Sequence, residues 1–327
     1  MTSSSYKKIS FFPKLLEPNT FGLDISDNSI KYAEILPSKR GWKVGKYGKK
    51  LIAPGIIKFG RIENKEKMVN LLNHLKKDIG IKSVRISLPE EQSYLFTITL
   101  PKTDSEQIMK KISLLLDAYV PMLAEEMAFE YQILEEIDHM LNIRVIATPK
   151  EIINEYTKVF EKAKIKIKEF KLKAESLAKN LHRKNTKKIF YPSTSMLVEL
   201  ERNRSSVSVI HQGSVVFNSV LDKGVNENER VESLRDELTR HYIYWHTHKD
   251  DEGKERPKIK KIILVGEGKD LSELAEYFSK GMKIPVELAN VWANILNIEE
   301  DIPEMDFKES LAFASAISLA LEDKEIE

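Results

Sequence analysis

Asp24, Ser26, Asp27, Asn28, Ser29 and Lys31 crowd into one short polar stretch between two apolar runs, residues 21–25 and 30–36. Such a stretch reads as a tight turn between two strands. Its backbone N–H groups converge on one spot, and that concavity suits a phosphate. Asp24, at the end of the first strand, is placed to hold Mg²⁺ through water, because magnesium takes few carboxylates and keeps its waters. The plainer reading is a hairpin with Asp and Asn as turn formers. The same grammar returns at 198–207, where Glu199 stands as Asp24 does and becomes a second metal candidate. Glu201 follows inside that turn; its charge opposes phosphate and its bulk blocks close backbone approach. Arg202 and Arg204 offset the charge, and a solvated charged turn is the competing reading. A third loop, Gly266-Glu267-Gly268, lies between the apolar run 262–265 and a helical pattern from Leu271. A strand feeding a glycine loop and a helix N-terminus can hold a nucleotide, although glycine also serves such connections as a simple turn.

Other chemistry is weaker. His241, His246 and His248, followed by Asp250, Asp251 and Glu252, are zinc-ligand types. A helix end running into a charged loop, with His complementing the dipole, is the better reading. Lys162, Lys164, Lys166, Lys168, Lys171 and Lys173 form a basic run, extended by Arg183, Lys184, Lys187 and Lys188. It could meet anionic lipid or nucleic acid. Alternation with Ile165, Ile167 and Phe170 favours a strand with one wet face, and the net charge of +2 gives no reason to expect nucleic acid. The absence of cysteine excludes disulfides, thiolate-bound zinc, iron–sulfur clusters and thiol catalysis. No nucleophile elbow is present.

The elements that must position these loops follow from patterning. A length of 327 residues suggests two domains or one large split one. Strands are expected at 42–51, 82–88, 94–100, 129–135, 142–148, 165–170, 196–200, 207–211, 214–221 and 260–265, and helices at 63–78, 104–119, 151–163, 174–181, 227–245, 271–280 and 307–321. Tyr242, Tyr244 and Trp245 near one helix end are core by default. Strand hairpins open both halves and helices follow each, an approximate duplication in a mixed α/β chain. No apolar run reaches the ~20 residues of a membrane span, and Pro13 and Lys14 cut short the run that would make a signal peptide. A cytoplasmic protein is expected.

In this order and with these flanks, the three loops resemble those of the type IV pilus assembly protein PilM family, within the actin-like ATPase superfamily and close to the cell-division protein FtsA. Residues 21–31 look like the family's first phosphate loop and Leu264-Val265-Gly266-Glu267-Gly268 like its adenosine loop. Ile86-Ser87-Leu88-Pro89 with residues 96–101 is similar to the strands entering its small subdomain. Arg144-Val145-Ile146-Ala147-Thr148-Pro149-Lys150 resembles the next strand and helix start, Ala174-Glu175-Ser176-Leu177-Ala178 the connecting helix, and residues 312–321 the final one. The resemblance implies an α/β, actin-like fold. A duplicated ribonuclease H-like core would form two lobes around a nucleotide cleft, with an FtsA-like inserted subdomain. On that frame residues 1–20 are an N-terminal arm, 21–89 with 169–187 the first lobe, 90–168 the inserted small α/β subdomain and 188–327 the second lobe. The last helix, 307–321, is a candidate to pack back on the first lobe.

The resemblance also implies ATP and Mg²⁺ as cofactors. Asp24, Ser26, Asp27, Asn28, Ser29, Lys31, Glu199, Glu201, Gly266, Glu267 and Gly268 would bind the nucleotide, and Asp24 and Glu199 the metal. It implies a protein peripheral to the inner membrane through its partners: the short cytoplasmic segment of a PilN-like membrane protein and other proteins of the pilus platform. Departures qualify the cofactor. Ser26 and Glu201 stand where the family has glycine, Glu199 where it has Asp, Lys173 where an acid is frequent, and Glu267 where a small residue is usual. Phosphoryl transfer also needs a base, and none is visible. The expectation is a scaffold with a degraded or relaxed ATP site, at most a weak ATPase, holding its partner peptide in an apolar groove between first lobe and inserted subdomain. Two alternatives stay open: an active ATPase or kinase of the superfamily, and an FtsA-like polymerising cytoskeletal protein, against which the short tail after Leu321 speaks.

Overall fold

The computed structural model describes residues 20–38, 41–181, 194–225, 231–249, 253–268, 270–292 and 305–321. The arm before Thr20, the basic stretch 182–188 and Asp250, Asp251 and Glu252 lie outside these residues. Thr20–Ile25 (β1), Ser29–Ser38 (β2) and Gly41–Leu51 (β3) form an antiparallel meander. A two-residue ribbon, Ile57–Lys58 (β4) and Arg61–Ile62 (β5), leads to the helix Lys65–Ile79 (α1). Asn64 caps α1 by accepting from the Lys67 N–H, Met68, Leu72 and Leu75 fill one face, and Gly80 ends it at φ 75°. Ser83–Ser87 (β6) is buried along its whole length because it runs parallel to β1 on one side.

Tyr94–Pro101 (β7), the helix Ser105–Tyr119 (α2) capped by Asp104, Met127–Ile137 (β8) and Met140–Pro149 (β9) follow. They form a separate three-stranded antiparallel sheet in the order β7-β9-β8. Ile98, Leu100, Ile108, Ile112, Leu116, Ile143 and Val145 make its core. The helix Lys150–Lys162 (α3) was expected within this unit, yet Ile152, Tyr156, Val159 and Phe160 bury into the core around α1. Its apolar stripe fits that neighbour, and Tyr156 donates its hydroxyl to the Gly60 carbonyl at 3.0 Å. Lys166–Lys171 (β10) then pairs with β6, closing the first sheet as β3-β2-β1-β6-β10.

The helix Lys173–Leu181 (α4) crosses to the second sheet, built from Ser195–Leu200 (β11), Ser205–His211 (β12), Ser214–Leu221 (β13), Lys261–Gly266 (β14) and Val286–Leu288 (β15). Gln212 and Gly213, at φ 50° and 79°, make the tight β12–β13 turn. The helices Val231–Thr247 (α5), Leu271–Met282 (α6), Phe307–Ala312 (α7) and Ala314–Leu321 (α8) complete the described chain. The second sheet runs β13-β12-β11-β14-β15. Both sheets therefore have three antiparallel strands followed by two parallel ones, in the same order of connection. This is the duplicated ribonuclease H-like, actin-like α/β arrangement.

The expected helix at 307–321 is two: Phe313 leaves the helical region at φ −103°, ψ 6°. Its ring packs edge-on against Tyr47, centroids 5.5 Å apart. α8 lies on β1, β2 and α4, and an apolar cluster runs through α4 and α8 into the second sheet. Asn180 of α4 ties the two helices by donating to Ser318 Oγ at 3.1 Å.

Candidate functional site

β1 and β11 end side by side at the line between the two sheets, and their hairpins carry the acids read from the sequence. Asp24 is paired across β1–β2 with Lys31, and Lys31 across β2–β3 with Lys49. Glu199 is the last residue but one of β11 and Glu201 opens its turn, which closes through the Glu201 N–H to the Arg204 carbonyl at 3.0 Å. Into the space between comes Lys173 from the start of α4. Its Nζ is 2.5 Å from Glu201 Oε1, 3.4 Å from Glu199 Oε2 and 3.7 Å from Asp24 Oδ1. The expectation of a wet-faced lysine for this position is corrected: the chain turns from β10 into α4 at Leu172, and Lys173 is buried. Around Lys31 a second set forms. Lys31 Nζ is 3.8 Å from Asp24 Oδ2 and 3.1 Å from Glu267 Oε1, and Lys49 Nζ is 2.5 Å from the same Glu267 oxygen.

The charges are set by these neighbours. Burial opposes the charge of Lys173, but Glu199, Glu201, Asp24 and Glu90 outweigh it and hold its pKa well above the usual value. Lys31 is raised in the same way, with Asp24 the leading partner. Burial pushes the Glu199 carboxyl up, Lys173 draws it back, and Asp24 and Glu201 push again; the result is about 7. Glu201 is half-buried, and although desolvation opposes its charge, Lys173 and Lys31 hold it below the ordinary value. Glu199 Oε1 accepts from the Ser315 hydroxyl of α8 at 2.5 Å.

Several predicted ligands have other employment. Asp27 accepts from the backbone N–H groups of Phe59 (2.9 Å) and Gly60 (3.0 Å) and from Arg204 Nη1 (3.1 Å). The Asn28 carbonyl accepts from the Ile52 N–H, and the Ser26 N–H closes the turn on the Ser29 carbonyl at 3.0 Å. Gly266 sits at φ +106° with an added Cβ 2.0 Å from the Leu200 carbonyl, so β11 demands this glycine irrespective of any ligand. Gly268 has only the side chains of Leu271 and Leu274 nearby.

Glu90, Lys49 and Ser315 were not among the residues read as site, and Lys173 was noted only as a departure. Glu90 Oε1 accepts from the Ala174 N–H at 3.2 Å and so caps α4 beside Lys173. Its signal was its place just after the carboxyl end of β6, where open α/β sheets collect ligands. Arg204 joins the lobes, with Nη1 3.0 Å from Glu91 Oε1 and its guanidinium 4.1 Å from the Phe59 ring centre. The histidines are separately engaged: His241 with Ser219 Oγ at 3.0 Å, His246 with the Ile259 N–H at 3.1 Å. Among the described residues one group of three acids, Asp24, Glu199 and Glu201, has metal-binding geometry, its ligand atoms all within 4.8 Å of one another.

The sequence model of the family described as type IV pilus assembly protein PilM matches residues 22–228. The chain belongs to this family, and its role lies in type IV pilus assembly. A search of curated proteins finds no match. Among solved structures, a PilM-PilN type IV pilus biogenesis complex is similar over 93% of this chain and 98% of that one, at 14% identity and a TM-score of 0.77. The ethanolamine utilization protein EutJ from Carboxydothermus hydrogenoformans is similar over 93% and 90%, at 10% identity and a TM-score of 0.52. At such identities these two likenesses establish the actin-like fold alone. Among the described residues no helix is long and apolar enough to cross a membrane.

Within this family member the cleft has two compartments. A cavity of about 60 Å³ lies between the β1–β2 and β11–β12 turns, walled by Asp27, Glu90, Lys173 and Glu201. A second of about 230 Å³ lies beyond Gly266, against Leu271, Leu288, Leu311 and Phe313. The Lys31–Glu267–Lys49 bridge borders the second. A larger groove of about 420 Å³ lies elsewhere, where β8 and β9 face β10, α4 and the β12–β13 turn. Its lining is mostly charged or polar, with Glu130, Gln132, Arg144, Lys171, Glu175 and Lys179, which departs from the apolar groove expected there.

Proposed function

We propose that the chain is a cytoplasmic scaffold of the type IV pilus platform, peripheral to the inner membrane. It holds a short extended segment of a PilN-like membrane protein and does not load Mg·ATP. The observation that carries this reading is the ammonium of Lys173 amid Asp24, Glu199 and Glu201, where the fold's metal and phosphates would lie. Glu201 adds charge at a turn that would have to accept phosphate, and Lys173 and Glu201 already stand in the space between the hairpins. These residues do not fit the group, and no phosphoryl step is assigned to them. Function then falls to protein binding.

The charged groove is the place we assign to the partner segment, in keeping with the division into a first lobe, an inserted unit and a second lobe. β8 is the outer strand of the inserted sheet and β10 of the first one. Both can pair with an added strand, the mode by which extended peptides gain affinity from main-chain hydrogen bonds. Lys171, 4.0 Å from Glu130, already spans the gap and supplies a charge that an incoming segment can take over. Calorimetry with the N-terminal cytoplasmic peptide of the PilN-like partner tests this. Binding is expected, weakened about tenfold, or about 1.4 kcal/mol, by Lys171→Glu. Binding indifferent to Lys171→Glu would remove the groove, and no binding would remove the scaffold reading.

A further inference from the structure

We infer that Lys173 is a built-in counter-ion: its ammonium stands in a divalent-cation site formed by Asp24, Glu199 and Glu201, and closes the cleft without metal or nucleotide. The inference rests on the unloaded cleft proposed above and assigns the ion that takes the metal's place.

The acids meet the requirements of a hard cation. All three are carboxylates, the ligands that Mg²⁺, Mn²⁺ and Ca²⁺ prefer, and one oxygen from each lies within 4.8 Å of the others. Asp24 and Glu199 are each more than nine-tenths buried. Asp24 Oδ1 and Glu199 Oε2 have no hydrogen-bond partner among the described residues. Both point at Lys173 Nζ at ion-pair distance, 3.7 and 3.4 Å. Two buried carboxylate oxygens without a donor are costly unless a cation faces them. Lys173 supplies that charge from a fixed point, because its backbone starts α4 and Glu90 holds the next N–H. Lys31 reaches only the far oxygen of Asp24. Without Lys173, three carboxylates would face one another around an uncompensated space, the arrangement that recruits a divalent ion.

A Mn²⁺ titration of the full chain followed by electron paramagnetic resonance tests the inference. The wild type is expected to leave Mn²⁺ free. Lys173→Ala is expected to bind one ion with a dissociation constant on the order of 10⁻⁴–10⁻³ M and to melt higher in its presence. Lys173→Arg, which keeps the charge, is expected to stay without metal. Comparable Mn²⁺ binding by the wild type, or a folded Lys173→Ala that binds none, overturns the inference. Should Lys173→Ala fail to fold, reductive methylation of the wild type decides. Lys173 should stay unmodified while the exposed Lys280 reacts, and equal rates at the two positions overturn it. None of these outcomes touches peptide binding, so the partner-peptide reading fails separately from this one, whereas Mn²⁺ binding by the wild type would also remove the unloaded cleft.

Discussion

A lysine in the first turn of a helix works against the positive end of the helix dipole, where acids are favoured. Lys173 is tolerated there because Glu90 caps the same turn and three further acids surround the ammonium. Glu199 bears the cost: its pKa rises from 4.5 to about 7 because burial and the neighbouring acids outweigh Lys173. Between those values the folded chain holds a proton on Glu199 that the unfolded chain has released. Stability from this group is therefore complete below about pH 4.5 and lost as pH rises to about 7. Glu199→Gln keeps the shape of the neutral acid. It should stabilise the chain by on the order of 2 kcal/mol at about pH 8 and by nothing at about pH 4. Urea unfolding at both pH values checks this, and an equal effect at both would clear Glu199 of the proton. Asp24, Glu199, Glu201 and Glu267 were legible in the sequence because strand–turn grammar puts each at a strand end. Lys173 was not, and Glu90 had only its place after β6 to mark it, because the two converge only once α4 docks beside the carboxyl ends of β1 and β6.

At the scale of elements, periodicity found the strands and helices that bury a continuous face, such as α1 with Met68, Leu72 and Leu75. It missed β4, β5 and β15, which are too short to alternate. It also ran α7 into α8, since the break at Phe313 is made by packing on Tyr47. One close contact was invisible in any window: β1 against α8. A Cβ on Gly22 would lie 2.0 Å from the Ala316 carbonyl and 2.5 Å from the Ala320 N–H, both backbone atoms with nowhere to go. The small residues Ala316 and Ala320 on α8 are the other half of this approach. Gly22→Ala should therefore cost about 1–3 kcal/mol by overpacking. Gly268→Ala, whose Cβ meets only the flexible side chains of Leu271 and Leu274, should cost much less. Thermal melts of the two variants compare them directly, and equal losses would mean that α8 can slide away from β1.

For the whole molecule, what matters is what holds two lobes closed. In a nucleotide-loaded fold the ligand bridges them; here side chains do. Lys173 reaches Glu199 and Glu201, Arg204 reaches back to Asp27 and Glu91, and Glu267 reaches Lys31 and Lys49. Apart from the exposed Lys49, the bridging groups are buried or half-buried, where ion pairs are least screened. On the reading proposed above, closure of this kind is independent of ATP. A ligand at a hundred times its dissociation constant adds about 2.7 kcal/mol to stability, which a melt would register as a clear rise. Millimolar ATP with Mg²⁺ should leave the melting temperature of the wild type unchanged. Removing the two outer bridges together, with Arg204→Ala and Glu267→Ala, should loosen the cleft and leave both cores folded. Amide exchange in the β1–β2 and β11–β12 turns would then speed up about tenfold, the equivalent of about 1.4 kcal/mol of local opening. The inserted sheet, whose core is its own, should exchange as before. A rise in melting temperature with ATP would make the nucleotide the clasp. Unchanged exchange in the double variant would leave closure to the apolar contacts of α4 and α8.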